Sequence, residues 1–536
     1  MTKKNQSASE STNSWAMIGR STRNTVESIV IAFILAFVFR AFIVEAYRIP
    51  TGSMAPTLYG AHQTRICQGC GYEYAYEIQQ RETERGLINR PPRYTICPNC
   101  KWNDMPQPIQ YKGRSMIDSG DRILVMKLGY ELGDLIPSLK SSLGPKRWDV
   151  VVFKNPSDPN INFIKRLIGM PGEKIEIIQG DIYANDQIAR KTSIAEQPLW
   201  FIVYDNDYLP ARRDRVDPRD LPMWTPITQA DGQLWSTPNR VLVFKGQGKN
   251  NSGSIGFSGQ IRDFYAYDDS DSRLSGNFIV SDLKMEFLLH LQQGQGQIDL
   301  ILSKYDDVFI ARIDTAGKAQ LFKTTRANYE QNLAKPELLA EKEIPEFEPE
   351  NPLPVSFENL DYKVQLKVDG QVILETTNEQ YKPDLKALRE KSSERVAPIV
   401  RITAKDINAQ LWHVKLFRDI YYLPVRIDHG RLADPDNPDS DQGGLGHGVA
   451  GNPIHLGPTD YFVLGDNSPE SMDSRLWFQV GPHLMDRYRA GHYQLGTVPA
   501  DQMIGKAFFV YWPAGYHLFG TGPSIIPNVG DMRLIR

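Results

Sequence analysis

The chain has 536 residues, too many for one ordinary domain, and this length suggests about three or four units with ample material for a sizeable core. Its formal net charge of −3 excludes a global basic field, so nothing in the composition calls for nucleic acid as a partner. With only four cysteines, a dense disulfide scaffold is excluded too.

In chain order, residues 1–24 are polar, carry Lys3, Lys4, Arg20 and Arg23 against Glu10, and read as a disordered cytoplasmic tail. Ile29 to Phe39 is uninterrupted apolar, and with Ala41, Phe42, Ile43 and Val44 the run reaches spanning length if Arg40 snorkels to the interface. No small-x-small cleavage site follows it, so 25–46 is expected to be an uncleaved single-pass anchor rather than a signal peptide. The basic flank puts the N-terminus in the cytoplasm and everything after residue 47 outside. Residues 47–60 contain Pro50-Thr51-Gly52-Ser53-Met54-Ala55-Pro56, in which Gly52 permits an unusual backbone approach and the two prolines stiffen either side of Ser53.

Residues 61–108 hold all four cysteines as two CxxC knuckles, Cys67/Cys70 and Cys97/Cys100. The spacing matches a four-thiolate zinc ribbon, whereas an extracytoplasmic location also permits disulfides among the same thiols. Either role is structural, because four thiolates leave no open metal position. Over 109–188, short β-branched runs at Ile123–Met126, Val150–Phe153, Phe163–Ile168, Lys174–Ile178 and Asp181–Tyr183 predict an antiparallel, mainly β unit. Over 189–425 further strands are expected at Arg240–Phe244, Phe278–Leu291, Ile298–Leu302 and Val308–Arg312. There is also a hairpin in which Val364-x-Leu366-x-Val368 turns at Asp369-Gly370 into Val372-x-Leu374. Pro345–Pro354 and Asp434–Pro458 read as loops, the second within a Gly/Pro/Asp-rich linker over 426–458. At 459–536 the earlier pattern resumes, so 189–425 is an insertion whose ends lie close together. Ala507–Pro513 fits either a core strand or a bilayer-facing aromatic patch.

Four stretches belong together: the Ser53 segment, Gly120-Asp121 with Arg147-Trp148-Asp149, Ile164-Lys165-Arg166-Leu167-Ile168-Gly169-Met170-Pro171-Gly172, and Gly465-Asp466-Asn467-Ser468-Pro469-Glu470-Ser471-Met472-Asp473-Ser474-Arg475. In that order they resemble the boxes of the type I signal peptidases (leader peptidases), a family of membrane-anchored Ser/Lys proteases. The resemblance implies Ser53 as nucleophile, Lys165 as general base, the Thr51 hydroxyl as an oxyanion donor beside the Ser53 N–H, Ser471 as the group that orients the lysine, and Asp473 with Arg475 as a structural ion pair. It also implies signal peptides of exported preproteins as substrates, cut after small-x-small sites at the outer side of the cytoplasmic membrane, with Met54 lining a substrate pocket. No cofactor is expected for the chemistry, and zinc only as a structural ion. The chain departs from the family at Ser468-Pro469-Glu470 and at Trp148, where a Gly is common.

The chemistry is consistent with these assignments. The nine histidines are scattered and offer no His/Asp set for Ser53. Lys165 serves as base only if its pKa falls by about three units, roughly 4 kcal/mol of differential destabilisation, which apolar burial among Phe163, Ile164, Leu167 and Ile168 can supply. The end of the insertion, Leu411 to Tyr422, looks like the last strands of a concanavalin-A-like β-sandwich, whose ligand, if any, is unspecified. The rival reading is a membrane-anchored adaptor in which that sandwich binds a surface ligand and the protease core is inactive.

Overall fold

The computed structural model describes all residues except 1–24, 35, 36, 39, 41, 84, 85, 105–109, 112, 113, 116, 131–142, 212–215, 217–220, 247, 249, 268–275, 345–350, 391–395, 429, 430, 433–443, 514, 515, 518–523 and 527. The expected tail over 1–24, part of the anchor, 345–350 and 434–443 therefore lie outside the described residues, and the rest of the second expected loop carries two short strands, Gly444–Leu445 and Ile454–His455.

The elements that position the site are β1 (Val44–Arg48), β2 (His62–Ile66), β3 (Glu73–Glu77), β4 (Arg122–Met126), β5 (Val150–Asn155), β6 (Asp158–Gly169), β7 (Lys174–Ile178), β8 (Asp181–Ala184), β9 (Leu283–Lys304), β10 (Val400–Arg418), β11 (Asp460–Leu464) and β12 (Met503–Trp512). The fold is mainly β. Strands β1, β4, β12, β5, β6 and β11 are successive neighbours in an eight-stranded sheet, each pair antiparallel. Alternate side chains point to opposite faces of a strand, and both faces of this sheet are covered. Ile123, Val125, Val150, Val152, Ala507 and Val510 enter one core with Met54 and Leu58, while Val151, Phe153, Leu167 and Val463 enter another with Trp477. Ala507–Trp512 is thus core strand on its Ala507 and Val510 side.

The anchor expected over 25–46 requires a correction at its end: Val44, Glu45 and Ala46 are strand, paired with Met126, Val125 and Leu124. The backbone groups on that side of β4 need partners, and β1 supplies them. Among the described residues no helix is long and apolar enough to cross a membrane.

The second large assembly is a thirteen-stranded sheet dominated by β9 and β10, with Leu283 opposite Arg418 and Leu302 opposite Val400. The sequence suggests a break inside β9 because Gln292–Gln297 is all Gln and Gly. Instead the strand passes through with register shifts at Leu291/Gln293 and Gly294/Gln297. Bulges of this kind bend a strand without ending it. Gly296 is needed there, since a Cβ would lie 2.0 Å from the Lys405 carbonyl oxygen. The Asp369-Gly370 hairpin forms with both residues left-handed, φ 50° and 72°, and Val368 opposite Gln371.

A buried ionic seam ties the thirteen-stranded sheet to β8, which with β7 belongs to a separate four-stranded sheet. Lys304 at the end of β9 bonds Asp181 of β8 at 2.8 Å and Asp282 at 2.7 Å, and Lys191 bonds Asp361 and Asp419 at 2.8 Å each. Four carboxylates share two ammoniums, and burial pushes the Asp419 carboxyl up to about 7. Removing one partner of such a network leaves an uncompensated buried charge, whereas the intact network contributes less than its contacts suggest.

Trp148 explains its own position. Its φ is +75°, a left-handed conformation that suits glycine and costs a side chain about 1–2 kcal/mol. Its ring is 4% exposed in the core that includes Ile168 and Ile175, and its Nε1 donates to the Arg190 carbonyl at 3.0 Å. Emptying a buried tryptophan site costs about 3–5 kcal/mol, so packing outweighs strain. Trp148→Gly is therefore expected to lose about 2 kcal/mol or more in urea unfolding; an unchanged or raised stability would show that the strain dominates.

Candidate active site

The serine segment is a loop closed at its neck by Asp121. Ile49 N donates to the Asp121 carbonyl at 2.8 Å, Asp121 N donates to the Tyr59 carbonyl at 2.9 Å, and Tyr59 N donates to Asp121 Oδ2 at 3.0 Å. Gly120 allows this closure, because a Cβ would fall 1.8 Å from the Ile49 carbonyl oxygen. Met54 and Leu58 plug the loop into the core with no exposed surface, leaving Ser53 partly exposed and Thr51 exposed. Met54 thus sits in the core beneath the serine rather than on a solvent-open wall, since its apolar chain fills the space between Ile49 and the β4–β5–β12 layer.

Strand alternation then separates two cations. On β6, Lys165 stands opposite Val151 and Arg166 opposite Val150, so the neighbours leave on opposite faces. Lys165 is 4% exposed, and its Nζ lies 2.6 Å from Ser53 Oγ and donates to the Ile164 carbonyl at 3.1 Å. Arg166 is fully buried and forks onto Asp466, with Nε to Oδ1 at 2.7 Å and an Nη to Oδ2 at 2.6 Å. Asp466 accepts a third bond from the Thr57 hydroxyl at 2.6 Å. Asp473 and Arg475 form a second buried fork, 2.8 and 2.7 Å long, and Gly465 N donates to Asp473 at 3.0 Å.

Burial decides the charge of Lys165, and the forks modify it. Burial pushes its pKa down to about 8, against the pull of Asp473 and Asp466 and with help from Arg475. Each aspartate is committed to its own arginine. Among the described residues no carboxylate lies within ion-pair distance of the Lys165 ammonium, so desolvation wins.

Ser471 is packed against Gly465, where a Cβ would meet its Oγ at 2.2 Å and the Ser53 carbonyl at 2.4 Å. Its hydroxyl is buried and makes no hydrogen bond among the described residues, to Lys165 or to any other group. Two supporting residues of the last box are given no role by the sequence. Asn467 N donates to the Ser53 carbonyl at 3.1 Å and Asn467 Nδ2 to the Gly52 carbonyl at 3.2 Å. Ser468, one of the departures from the family pattern, accepts from Leu423 N at 2.9 Å and from Arg475 at 2.8 Å, tying the box to the chain leaving β10.

The four cysteines are brought together from two similar knuckles. Cys67 N donates to Tyr72 O and Gly71 N to Cys67 O, both 2.8 Å; Cys97 N donates to Trp102 O and Lys101 N to Cys97 O, both 3.0 Å. All four sulfurs are free and lie within 4.8 Å of one another, with Cys67–Cys100 at 3.6 Å and Cys70–Cys97 at 3.8 Å. Four ligands about 2.3 Å from a tetrahedral zinc are about 3.8 Å apart, so this donor set fits the ion.

The family model described as "Signal peptidase, peptidase S26" matches residues 22–88, 103–235 and 364–512, well over half of the chain. The chain belongs to the signal peptidase family. Signal peptidase I of Pseudomonas aeruginosa is 36% identical over 100 residues, 17% of this chain and 34% of that protein. Signal peptidase I of Rickettsia akari is 45% identical over 64 residues, 11% of this chain and 24% of that one. The chain thus spans about a third and a quarter of the length of these two relatives. The laminarinase from Rhodothermus marinus overlaps 41% of this signal peptidase family member and 98% of its own chain, at 12% identity and TM-score 0.26. A carbohydrate binding module from Bacillus subtilis overlaps 36% and 94%, at 12% and 0.23. Overlaps that weak establish neither a shared fold nor a ligand.

The site predicts a pH dependence with a defined sign. If an amine with pKa about 8 takes the Ser53 proton in the reaction, kcat/KM rises about tenfold per pH unit below 8 and levels off above it. Stability follows the same group. Between about pH 8 and 10.5 the unfolded chain holds a proton that the folded chain lacks, so stability rises with pH through that window and the burial penalty is fully present below it. Lys165→Met should therefore unfold at higher urea than wild type at pH 7; a flat pH–rate profile between 6 and 9 would remove Lys165 as the base.

Proposed function

We propose that this signal peptidase family member is a type I signal peptidase, an endopeptidase that releases signal peptides from exported preproteins through a Ser53 acyl-enzyme. The contact that carries the reading is the 2.6 Å approach of a buried, carboxylate-free Lys165 amine to Ser53 Oγ. In its neutral form Lys165 accepts the Ser53 proton across that contact as Oγ attacks the scissile carbonyl. Negative charge then develops on the carbonyl oxygen, facing the Ser53 N–H and the Thr51 hydroxyl. The lysine returns its proton to the departing amine, and a water activated by the regenerated amine releases the signal peptide. Ser471, packed against Gly465, is the group that orients the lysine. The substrate segment lies extended beside a strand, with small side chains at the first and third positions before the cut.

Three further assignments belong to the same proposal. The apolar segment ahead of β1 is a single bilayer anchor with the N-terminus in the cytoplasm. Its described part supports this, because Ile29, Ile31, Phe33 and Phe37 are each half or more exposed, an arrangement that water disfavours and lipid satisfies. The four cysteines hold a structural zinc, and the chain between the two halves of the peptidase is an inserted β-sandwich of concanavalin-A-like type.

In detergent or lipid, wild type is expected to cleave a preprotein bearing a small-x-small site, and Ser53→Ala and Lys165→Met each to lose about 10³-fold or more in kcat. The purified protein should hold one zinc per chain, lost in Cys97→Ser, and should stay with the membrane pellet in carbonate. Cleavage surviving Ser53→Ala would reject the mechanism, a zinc-free folded protein would reject the metal, and release by carbonate would reject the anchor.

A further inference from the structure

Gly52, the residue before the nucleophile, is the weakest link in the catalytic loop, because glycine rotates more freely than any other residue. Two peptide planes flank it, and side chains from distant parts of the chain pin each one. The plane after Gly52 is held by Asn467 Nδ2 and by Ala55 N, which donate to the Gly52 carbonyl at 3.2 and 2.9 Å. The plane before it is held by Glu77, whose Oε1 accepts from Gly52 N at 2.8 Å. With the Ser53 carbonyl taken by Asn467 N, the Ser53 N–H is the one backbone polar group of this pair without a hydrogen bond among the described residues. That is the group an oxyanion would use.

Glu77 does not reach Gly52 by chance of a flexible side chain. It ends β3, whose partner β2 leads directly into the first cysteine knuckle, with His62 opposite Glu77 and Ile66 opposite Glu73. Its backbone N donates to the Tyr267 carbonyl at 2.9 Å, and the Tyr267 ring covers Gly52 so closely that a Cβ there would lie 2.2 Å from Cε1. Tyr267 packs in turn against Tyr59, ring centroids 5.3 Å apart and tilted by 42°, on the closing limb of the serine loop. Tyr267 lies in the interval 236–363 that the family match passes over.

We propose that Glu77 is a positioning residue for the nucleophile. Its carboxylate fixes the Thr51–Gly52 peptide, so that the cysteine-bearing hairpin and the Tyr267 segment together set where the Thr51 hydroxyl and the Ser53 N–H point. This deepens the peptidase reading and rests on it. Loss of Glu77 frees the plane that carries Thr51. A misplacement of about 1 Å in a reacting constellation costs on the order of 10- to 100-fold in rate. Substrate held along the strands is affected much less.

The test uses the full chain in detergent with a small-x-small preprotein, comparing wild type, Glu77→Ala and Glu77→Gln for kcat, KM and hydrogen exchange in the peptide spanning Thr51–Ala55. Glu77→Ala is expected to lower kcat about tenfold or more with KM within about twofold, and to speed exchange in that peptide. Glu77→Gln keeps an oxygen acceptor and is expected to recover most of kcat. Equal kcat and equal exchange in wild type and Glu77→Ala would overturn the proposal, as would a Glu77→Gln variant as slow as Glu77→Ala. If wild type cleaves nothing, the peptidase reading falls on its own, and the exchange comparison alone decides whether Glu77 holds Gly52.

Discussion

An amine buried beside a serine stays a base only while no carboxylate is free to claim it. Lys165 has two aspartates close enough to pull its pKa up, and burial outweighs both. Each aspartate has its own fully buried arginine, Arg166 for Asp466 and Arg475 for Asp473. Buried ion pairs contribute little net stability, since desolvation offsets most of the attraction. Their value here lies in specificity: they neutralise the acids around the lysine and leave burial as the deciding influence. The strand period makes this workable, because adjacent residues of β6 face opposite ways and one cation can be paired while the next is not.

The serine is held to a similar standard. Its loop is tied at the neck by Asp121, plugged by Met54 and Leu58, and gripped at its tip by Asn467 and Glu77. These groups come from four regions of the chain. The buried seam of Lys304, Lys191 and four aspartates ties the large sheet to β8, and Ser468 stitches the chain leaving β10 to the Arg475 fork. Through Ser468 the end of the large sheet braces the Arg475 fork beside the serine and lysine.

Much of this was legible from the sequence, for physical reasons that differ by residue. Runs such as Val150–Phe153 and the Asp369-Gly370 turn announce strands and a hairpin because side-chain alternation and left-handed turn residues are local properties. Ser53 and Lys165 could be singled out through their boxes, and the structure places them in contact although 112 residues separate them. What sequence could not convey was pairing at a distance. Arg166 and Asp466 both stand in quoted boxes, yet nothing local says that they meet. Glu77 is one carboxylate among many, and its role exists only because β3 ends over Gly52. Met54 has no local signal for facing core or solvent, and the core took it. The Gln/Gly stretch within β9 imitates a turn, since bulges and turns draw on the same residues. At the N-terminus the apolar run conceals the start of β1, because Val44 and Ala46 suit a lipid-facing helix and a half-buried strand equally.

The proposed mechanism requires that Ser53 become covalently attached to the carboxyl end of the released signal peptide. The most direct measurement is an acid quench of wild type early in a single turnover of preprotein cleavage, followed by digestion and mass analysis of the Pro50–Leu58 region. A Ser53-linked adduct with the mass of the acyl signal peptide, absent from Ser53→Ala, is expected. Cleavage proceeding with Ser53 unmodified at every time point, or an adduct on another residue, would contradict that mechanism.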